Sequence, residues 1–185
     1  MTYLLTHTGK KVVYEDPQPD MICLEDIFFS LTRVPRFGGH TRRPYSVAEH
    51  CLKGANCLEQ DTPEFALEFL LHDATEAYLG DVPTPLKAQM PGYKAIEKQF
   101  DAIIREKYGL PADMSPEVKV MDIRMLAAEK EALMPEDPVP WECLAGVEPA
   151  PVLINGDRNY NWSPAALIHG MKSLFKRYRP EAVTA

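Results

Sequence analysis

Residues 62–80 read TPEFALEFLLHDATEAYLG, and this stretch predicts the central helix of a helical bundle. Its apolar residues fall on several faces at once, which is typical of a helix surrounded by other helices. Thr62-Pro63 supplies a helix start and Gly80 a helix stop. Three ionisable residues, His72, Asp73 and Glu76, project toward one side of this helix. Polar chemistry is therefore expected inside the bundle.

Helical patterns continue on both sides of this stretch. CLEDIFFSLTR from Cys23 has helical spacing, and SVAEHCLKGANCL opens at Ser46 with the Ser-x-x-Glu capping box. Three further helices are predicted over 93–108, from 115 to about 134, and over 163–178. Two β-prone runs around Thr8-Gly9-Lys10 predict a short hairpin. We expect an all-α bundle of about six main helices with a hairpin appendage.

The predicted domain organisation is simple, because 185 residues suit one domain. Along the single domain 1–185 we expect a hairpin appendage over 1–16, helices that carry the site over 23–134, a proline-rich crossing over 135–162 and a C-terminal helix over 163–178.

Composition restricts the classes of function. Hydrophobic residues make up 45% and charged residues 25% of the chain, as in ordinary globular proteins. The net charge of −7 argues against stable binding to DNA or RNA but allows a small phosphate ester. No apolar run approaches the roughly 20 residues of a membrane span, and the N-terminus does not resemble a signal peptide, so we expect a cytoplasmic protein. The four cysteines lack paired spacing and are interpreted as reduced, mostly buried thiols.

Two more ionisable residues lie on apolar helix faces. His50 is flanked at helical spacing by Val47 and Gly54, and Asp122 by Val118 and Met125. Each alone could be a satisfied buried polar residue. However, an unpaired buried carboxylate is costly, so Asp122 should have a cationic partner, and a metal would serve.

Taken together, two imidazoles and two carboxylates form a mixed nitrogen and oxygen ligand set. Such a set suits one divalent transition metal, Co²⁺, Mn²⁺, Zn²⁺, Ni²⁺ or Fe²⁺, better than Mg²⁺ or Ca²⁺, which prefer oxygen ligands. The remaining histidines form no second cluster in the sequence, so one metal is the simplest count.

Three segments then make a resemblance specific: RFGGHTRRPYSVAEH at 36–50, FLLHDATEAYLGDVPTPLK at 69–87 and VMDIRMLAAEK at 120–130. In order and spacing they resemble the H…HD…D signature of the HD-domain phosphohydrolases. They are most similar to the small bacterial 5′-deoxynucleotidases and their prophage- and phage-encoded relatives. The likeness runs from about residue 3 to the C-terminal helix and includes KYGLP at 107–111. It implies the HD-domain version of the helical bundle.

The resemblance also implies roles at the metal. The four residues that match the metal ligands are His50, His72, Asp73 and Asp122. Glu76 matches the residue that orients or deprotonates the attacking water. Asp81 matches an acidic residue near the sugar, a candidate for contacting the deoxyribose 3′-hydroxyl and for helping with proton transfer.

Substrate contacts are expected around the loop at 36–40. Arg36 and Phe37 match an Arg-Trp pair that reaches phosphate and nucleoside, although Phe37 lacks the indole N–H donor. Lys87 is a second candidate cation for the phosphate, because PTPLK places its ammonium just after the Asp81 loop. The alternative is a solvated loop lysine. His40 is a further substrate-contact candidate, with a surface or supporting histidine as the alternative.

Other polar and aromatic residues receive structural interpretations. Arg42 and Arg43 are read as surface charge more readily than as substrate clamps. Trp141 and Trp162 are expected to pack the crossing onto the bundle, and His169 to lie in the core or at its rim.

The expected activity is hydrolysis of deoxyribonucleoside 5′-monophosphates to deoxynucleoside and phosphate, a phosphoric monoester hydrolase reaction. One alternative is a deoxynucleoside triphosphate phosphohydrolase at the same site, which Arg42 and Arg43 keep open. An alternative of another class is a nucleotide-sensing or host-interaction protein on the same fold. The expected partner is a small-molecule deoxynucleotide, and relatives suggest homo-oligomers.

Overall fold

Eight α-helices and one β-hairpin form the part of the chain that the computed structural model describes, residues 2–183. The helices are α1 (Leu24–Leu31), α2 (Val47–Asp61), α3 (Ala66–Leu71), α4 (Glu76–Leu79), α5 (Thr84–Lys87), α6 (Pro91–Tyr108), α7 (Pro116–Leu133) and α8 (Pro164–Tyr178). The strands are β1 (Leu4–Leu5) and β2 (Lys11–Val12). Because α4 and α5 are single turns, the prediction of an all-α bundle of about six main helices with a short hairpin is confirmed.

The central helix is broken where one continuous helix was predicted. α3 ends at Leu71 and α4 begins at Glu76. Between them the amides of Ala74 and Glu76 donate to carbonyls only three residues earlier, both at 3.0 Å. The chain therefore tightens into a 3₁₀-like turn, a distortion that often marks a functional position in a helix. His72 and Asp73 lie in this turn.

Close packing of α2 on α3 depends on one glycine. A Cβ atom at Gly54 would overlap the ring of Phe69, so no other residue fits there without a shift. The Phe69 ring lies 5.5 Å from the ring of His50 and 4.4 Å from that of His72, measured between centroids. The same contact that joins the two helices therefore supports both imidazoles.

The start of α2 corrects the interpretation of Arg43 as surface charge. Ser46 caps the helix, as predicted, by accepting the Glu49 amide at 3.3 Å. The Glu49 carboxylate instead accepts two hydrogen bonds from Arg43, at 2.7 and 2.9 Å. The Arg43 side chain is fully buried, which this bidentate pair makes tolerable.

The hairpin is part of the folded body and not a loose appendage. Its register pairs Leu4 with Val12, and Val12 is fully buried in the core. The backbone amide and hydroxyl of Thr8 both donate to Asp26 in α1, at 2.8 and 2.7 Å. Two hydrogen bonds to one carboxylate thus fix the hairpin turn on the first helix.

The crossing between α7 and α8 is irregular, as predicted, except for a 3₁₀ turn over Glu142–Leu144. Trp162 packs against the core, in agreement with its expected role. His169 is exposed, so the expectation of core or rim packing is wrong; its position on α8 faces outward. The four cysteines are free, and only Cys51 and Cys57 are buried. Among the described residues, no helix has both the length and the apolar character to cross a membrane.

Candidate metal centre

The four predicted ligands come together from three separate parts of the chain. His50 comes from α2, His72 and Asp73 from the turn after α3, and Asp122 from α7. The Nε2 atoms of the two histidines are 3.3 Å apart. Asp122 Oδ1 lies 3.3 Å from His50 Nε2, and Asp73 Oδ2 lies 3.3 Å from His72 Nε2. Each of these carboxylate oxygens lies within 3.7 Å of both Nε2 atoms, and the ligand atoms of His50, His72 and Asp122 are close enough together to hold one metal.

The hydrogen bonds of the two Nδ1 atoms determine whether the Nε2 atoms, which face each other, can act as metal ligands. His50 Nδ1 lies 2.6 Å from a Glu129 carboxylate oxygen, and His72 Nδ1 lies 2.7 Å from the Phe69 carbonyl. Both of these partners accept hydrogen bonds, so each Nδ1 must carry the proton. In the neutral rings, both Nε2 atoms then present lone pairs to each other and to two carboxylates. A cation satisfies all four groups at once, and the residues therefore fit a divalent metal.

The electrostatics of the ligands indicate the same demand for positive charge. Burial opposes a charged imidazole, but the nearby carboxylates of Asp73 and Asp122 raise the pKa of His72 well above its ordinary value. Burial likewise opposes ionisation of Asp122, yet the adjacent imidazoles of His50 and His72 hold its pKa well below the usual range. Without a metal, protons take the place of the cation.

One side of the centre is open to solvent. The side chains of His50 and His72 are 0% and 1% exposed, whereas that of Asp122 is 42% exposed. The expectation that Asp122 lies on a buried stripe is therefore corrected: it lies at the rim. Solvent therefore reaches the Asp122 carboxylate on this side.

Glu129 is a site residue that the sequence reasoning missed. Its carboxylate is fully buried and accepts hydrogen bonds from His50, from Arg36 Nε at 3.0 Å and from the Tyr45 hydroxyl at 3.0 Å. Burial opposes its ionisation, but Arg36 and His50 lower its pKa. The available signal was its spacing, since a residue seven positions after Asp122 shares the same face of a helix.

Glu76 lies buried, within electrostatic reach of the candidate ligand Asp73, without a full set of partners. It is 6% exposed, and its Oε2 has no hydrogen-bond partner among the described residues. Burial, and then the charges of Asp73 and Asp81, raise its pKa well above the ordinary value. Burial also raises the pKa of Asp81. The carboxyl groups of Glu76 and Asp81 therefore bind a proton at higher pH than ordinary carboxyl groups do.

Besides Asp81, four residues are predicted to contact substrate, and of these Arg36 lies closest to the candidate metal ligands. The Arg36 guanidinium reaches the centre, with Nη1 3.4 Å from Asp73 Oδ2. Phe37 follows with a left-handed backbone (φ 55°), and its ring lies 6.3 Å from that of Trp141.

The other two predicted contacts, Lys87 and His40, do not reach the centre in this way. Lys87 donates to Glu97 at 2.6 Å, so its ammonium is already paired. His40 is exposed just after the short Arg36–Gly39 turn.

Cys51 is a second residue that the sequence reasoning did not place at the site. With His72 and Asp73 it forms another group of atoms close enough to hold a metal. However, burial raises the pKa of its thiol to about 11, so it stays protonated near neutral pH. A metal bound there would lower this pKa, so the Cys51 thiol is an alternative ligand beside the nitrogen and oxygen set.

Comparison with known proteins identifies relatives over most of the chain. No family model matches it. It is 44% identical over 155 residues to the uncharacterized protein YfdR of Escherichia coli, across 84% of this chain and 85% of that protein. It is 32% identical over 160 residues to an uncharacterized protein of Rhodobacter capsulatus, across 80% of this chain and 81% of that protein. The extent and level of these matches show that the chain belongs to the family of the E. coli protein YfdR.

Proposed function

We propose that this protein is a metal-dependent phosphohydrolase that converts deoxyribonucleoside 5′-monophosphates to deoxynucleosides and phosphate. The observation that carries the proposal is the group formed by His50, His72 and Asp122, whose ligand atoms are close enough to hold one metal, with Asp73 Oδ2 within 3.7 Å of both imidazoles. The resemblance of these same residues to the signature of HD-domain phosphohydrolases supplies the substrate class.

The proposed cofactor is one divalent transition metal, Co²⁺, Mn²⁺, Zn²⁺, Ni²⁺ or Fe²⁺. Two imidazole nitrogens and two carboxylate oxygens are ligands that these ions accept. When bound, such an ion supplies Lewis-acid stabilisation to a phosphate ester. The exposed side of Asp122 is the route by which substrate would reach it.

Glu76 is proposed as the general base. Its buried position and its acidic neighbours raise its pKa, so its carboxylate can accept a proton from water near neutral pH. That water attacks phosphorus, and the bond to the 5′-oxygen breaks. Asp81, whose pKa burial also raises, is proposed to give the leaving oxygen its proton. The products are then the deoxynucleoside and phosphate.

Arg36 is proposed to stabilise the charge that grows on the phosphate oxygens. Its side chain is 11% exposed and already lies against Asp73, so it is held in position before substrate arrives. A preorganised cation of this kind contributes most in the transition state, because it needs no reorganisation there. Lys87 is a weaker candidate for this role, because its ammonium is already paired with Glu97.

Monophosphates are favoured over triphosphates for a specific reason. Arg42 and Arg43 kept the triphosphate alternative open as extra cations, and of the two only Arg42 is exposed. Arg43 is fully buried and paired with Glu49, so it is not free to bind a phosphate chain. The interaction-protein alternative would be favoured by loss of a ligand or of Glu76, and the chain retains all of them.

The proposal is tested by phosphate release from dNMPs, NMPs and dNTPs, with each of the five metals added in turn. We expect release from dNMPs and a loss of about 100-fold or more in Glu76→Gln, since general base catalysis contributes that much. Glu117→Gln, an exposed carboxylate on α7, is the matched control and should retain full activity. Absence of dNMP hydrolysis with every metal would overturn the proposal, and full activity of Glu76→Gln would remove the role of Glu76.

A further inference from the structure

Trp141 lies beside Phe37, in the loop at 36–40 where substrate contacts are predicted, although it belongs to a distant and irregular part of the chain. It directly precedes the 3₁₀ turn at Glu142–Leu144 in the crossing. Its ring is 6.3 Å from that of Phe37, at an interplanar angle of 46°. On α7, Lys130 places its ammonium 5.0 Å from the centre of the Trp141 ring. Contacts from two other segments thus hold the indole in a defined place.

A continuous series of contacts links this indole to the metal ligands. Arg36 Nη1 is 3.4 Å from Asp73 Oδ2, and Arg36 Cζ is 5.6 Å from the centre of the Phe37 ring. Phe37 in turn contacts Trp141. A ligand with its phosphate at Arg36 and the metal ligands would therefore have an aromatic wall near its other end.

The backbone at Phe37 provides a second, independent sign of function. Phe37 has a left-handed conformation (φ 55°), which is costly for a residue with a Cβ atom. Strained residues persist where the surroundings determine them, and they cluster at ligand sites. Here the strain accompanies placement of an aromatic ring between Arg36 and Trp141.

Among the described residues, no other ring stacks face to face on the indole of Trp141. Lys130 lies over the ring of Trp141, while the tilted Phe37 ring does not stack on it. Trp141 is also partly exposed, unlike an aromatic residue that only fills a core. An indole held in this way is suited to stacking against a flat heteroaromatic ring.

We propose that Trp141 binds the nucleobase of the substrate by stacking, with Phe37 completing the wall. The inference rests on the proposed function and extends it to recognition of the base. Stacking does not distinguish strongly between bases, because every base has a π-face. The site should therefore require a base while accepting purines and pyrimidines alike.

The first test is kinetic and uses a substrate without a base. Trp141→Ala should raise KM for dAMP and dTMP about 10-fold or more, the usual effect of losing one stacking contact, with little change in kcat. The same variant should hydrolyse deoxyribose 5-phosphate as well as the unchanged protein. Trp141→Phe should restore most of the affinity, and Trp162→Phe is the matched control. Equal losses on substrates with and without a base would overturn the proposal.

The second test reads Trp141 directly. In Trp162→Phe the chain has one tryptophan, so its fluorescence reports the proposed site. With Glu76→Gln added to prevent turnover, dAMP and deoxyadenosine should change this fluorescence, whereas deoxyribose 5-phosphate should not. An unchanged signal with every base-containing ligand would overturn the proposal.

The two tests separate this inference from the proposed function. Fluorescence changes in a protein that releases no phosphate would support base binding while the hydrolase proposal fails. Phosphate release from dNMPs that is unaffected by Trp141→Ala would overturn the role of Trp141 and leave the hydrolase proposal intact.

Discussion

At the scale of single residues, Glu129 determines how His50 presents itself to a metal. Its carboxylate accepts a hydrogen bond from His50 Nδ1 at 2.6 Å, which fixes the ring and, in the neutral imidazole, leaves Nε2 unprotonated. A carboxylate in this position also makes the imidazole a stronger ligand. Because Glu129 also binds Arg36, it connects the proposed metal site to the proposed phosphate contact.

Replacement of Glu129 should therefore weaken metal binding even though Glu129 is not itself a ligand. We expect Glu129→Gln to bind Co²⁺ or Mn²⁺ about 10- to 100-fold more weakly, the range found for partners of metal ligands. Isothermal titration calorimetry measures the change, and Glu117→Gln on the same helix is the control. An unaltered Kd would show that Glu129 only fills space in the core.

At the scale of elements, the hairpin depends on its hydrogen bonds to α1. The amide and hydroxyl of Thr8 donate to Asp26, and the Cys23 thiol donates to the same carboxylate at 2.9 Å. Burial opposes ionisation of Asp26, but hydrogen bonds from Cys23 and Thr8 outweigh it and lower the pKa below 3.8. The ionised form of Asp26 is therefore more stable in the folded chain than in the unfolded chain.

The stability that Asp26 contributes should depend on pH with a defined sign. A carboxylate with a lowered pKa stabilises the fold above its unfolded pKa, and that contribution is lost as pH falls through the lowered value. We expect Asp26→Asn to reduce the free energy of unfolding by about 2 kcal/mol at pH 7 and by less below pH 3.8. Urea unfolding measures both values, at pH 7 and at the lowest pH with a cooperative transition. Asp20→Asn, an exposed residue near the hairpin, serves as the control, and a pH-independent difference would contradict the assignment.

At the scale of the whole molecule, the proposed centre joins parts of the chain that are far apart in sequence. His50, His72 and Asp122 converge from α2, the turn after α3 and α7. The unfolded chain does not hold these groups together, so a metal should bind the folded state preferentially. Metal binding is therefore expected to stabilise the whole fold.

Metal at 100-fold above its Kd should raise the unfolding free energy by about 2.7 kcal/mol, or Tm by about 5–10 °C for a chain of this size. Thermal unfolding followed by circular dichroism, with metal and then with EDTA, measures the shift. Glu76→Gln should keep the shift, because Glu76 is not among the proposed ligands, and Asp122→Asn should lose most of it. An equal shift in Asp122→Asn would mean that the metal binds elsewhere.

The sequence by itself determined the helices and the identity of the residues that converge. Helix starts at Ser46 and Ser163 and the stop at Gly109 follow from local capping and backbone preferences, and the structure has them there. Ionisable side chains at helical spacing, together with the resemblance of three segments to a known signature, marked His50, His72, Asp73 and Asp122 as the proposed ligands, although Asp122 lies at the rim and not on a buried face.

Only the tertiary structure decided which groups surround those ligands. Glu129 meets His50 across 79 residues, and Trp141 meets Phe37 from an irregular crossing. Arg43, which the sequence pattern placed at the surface, is buried and paired with Glu49. The physical reason is common to all three: each depends on a specific side-chain contact formed in the folded chain, and helical periodicity carries no information about such contacts.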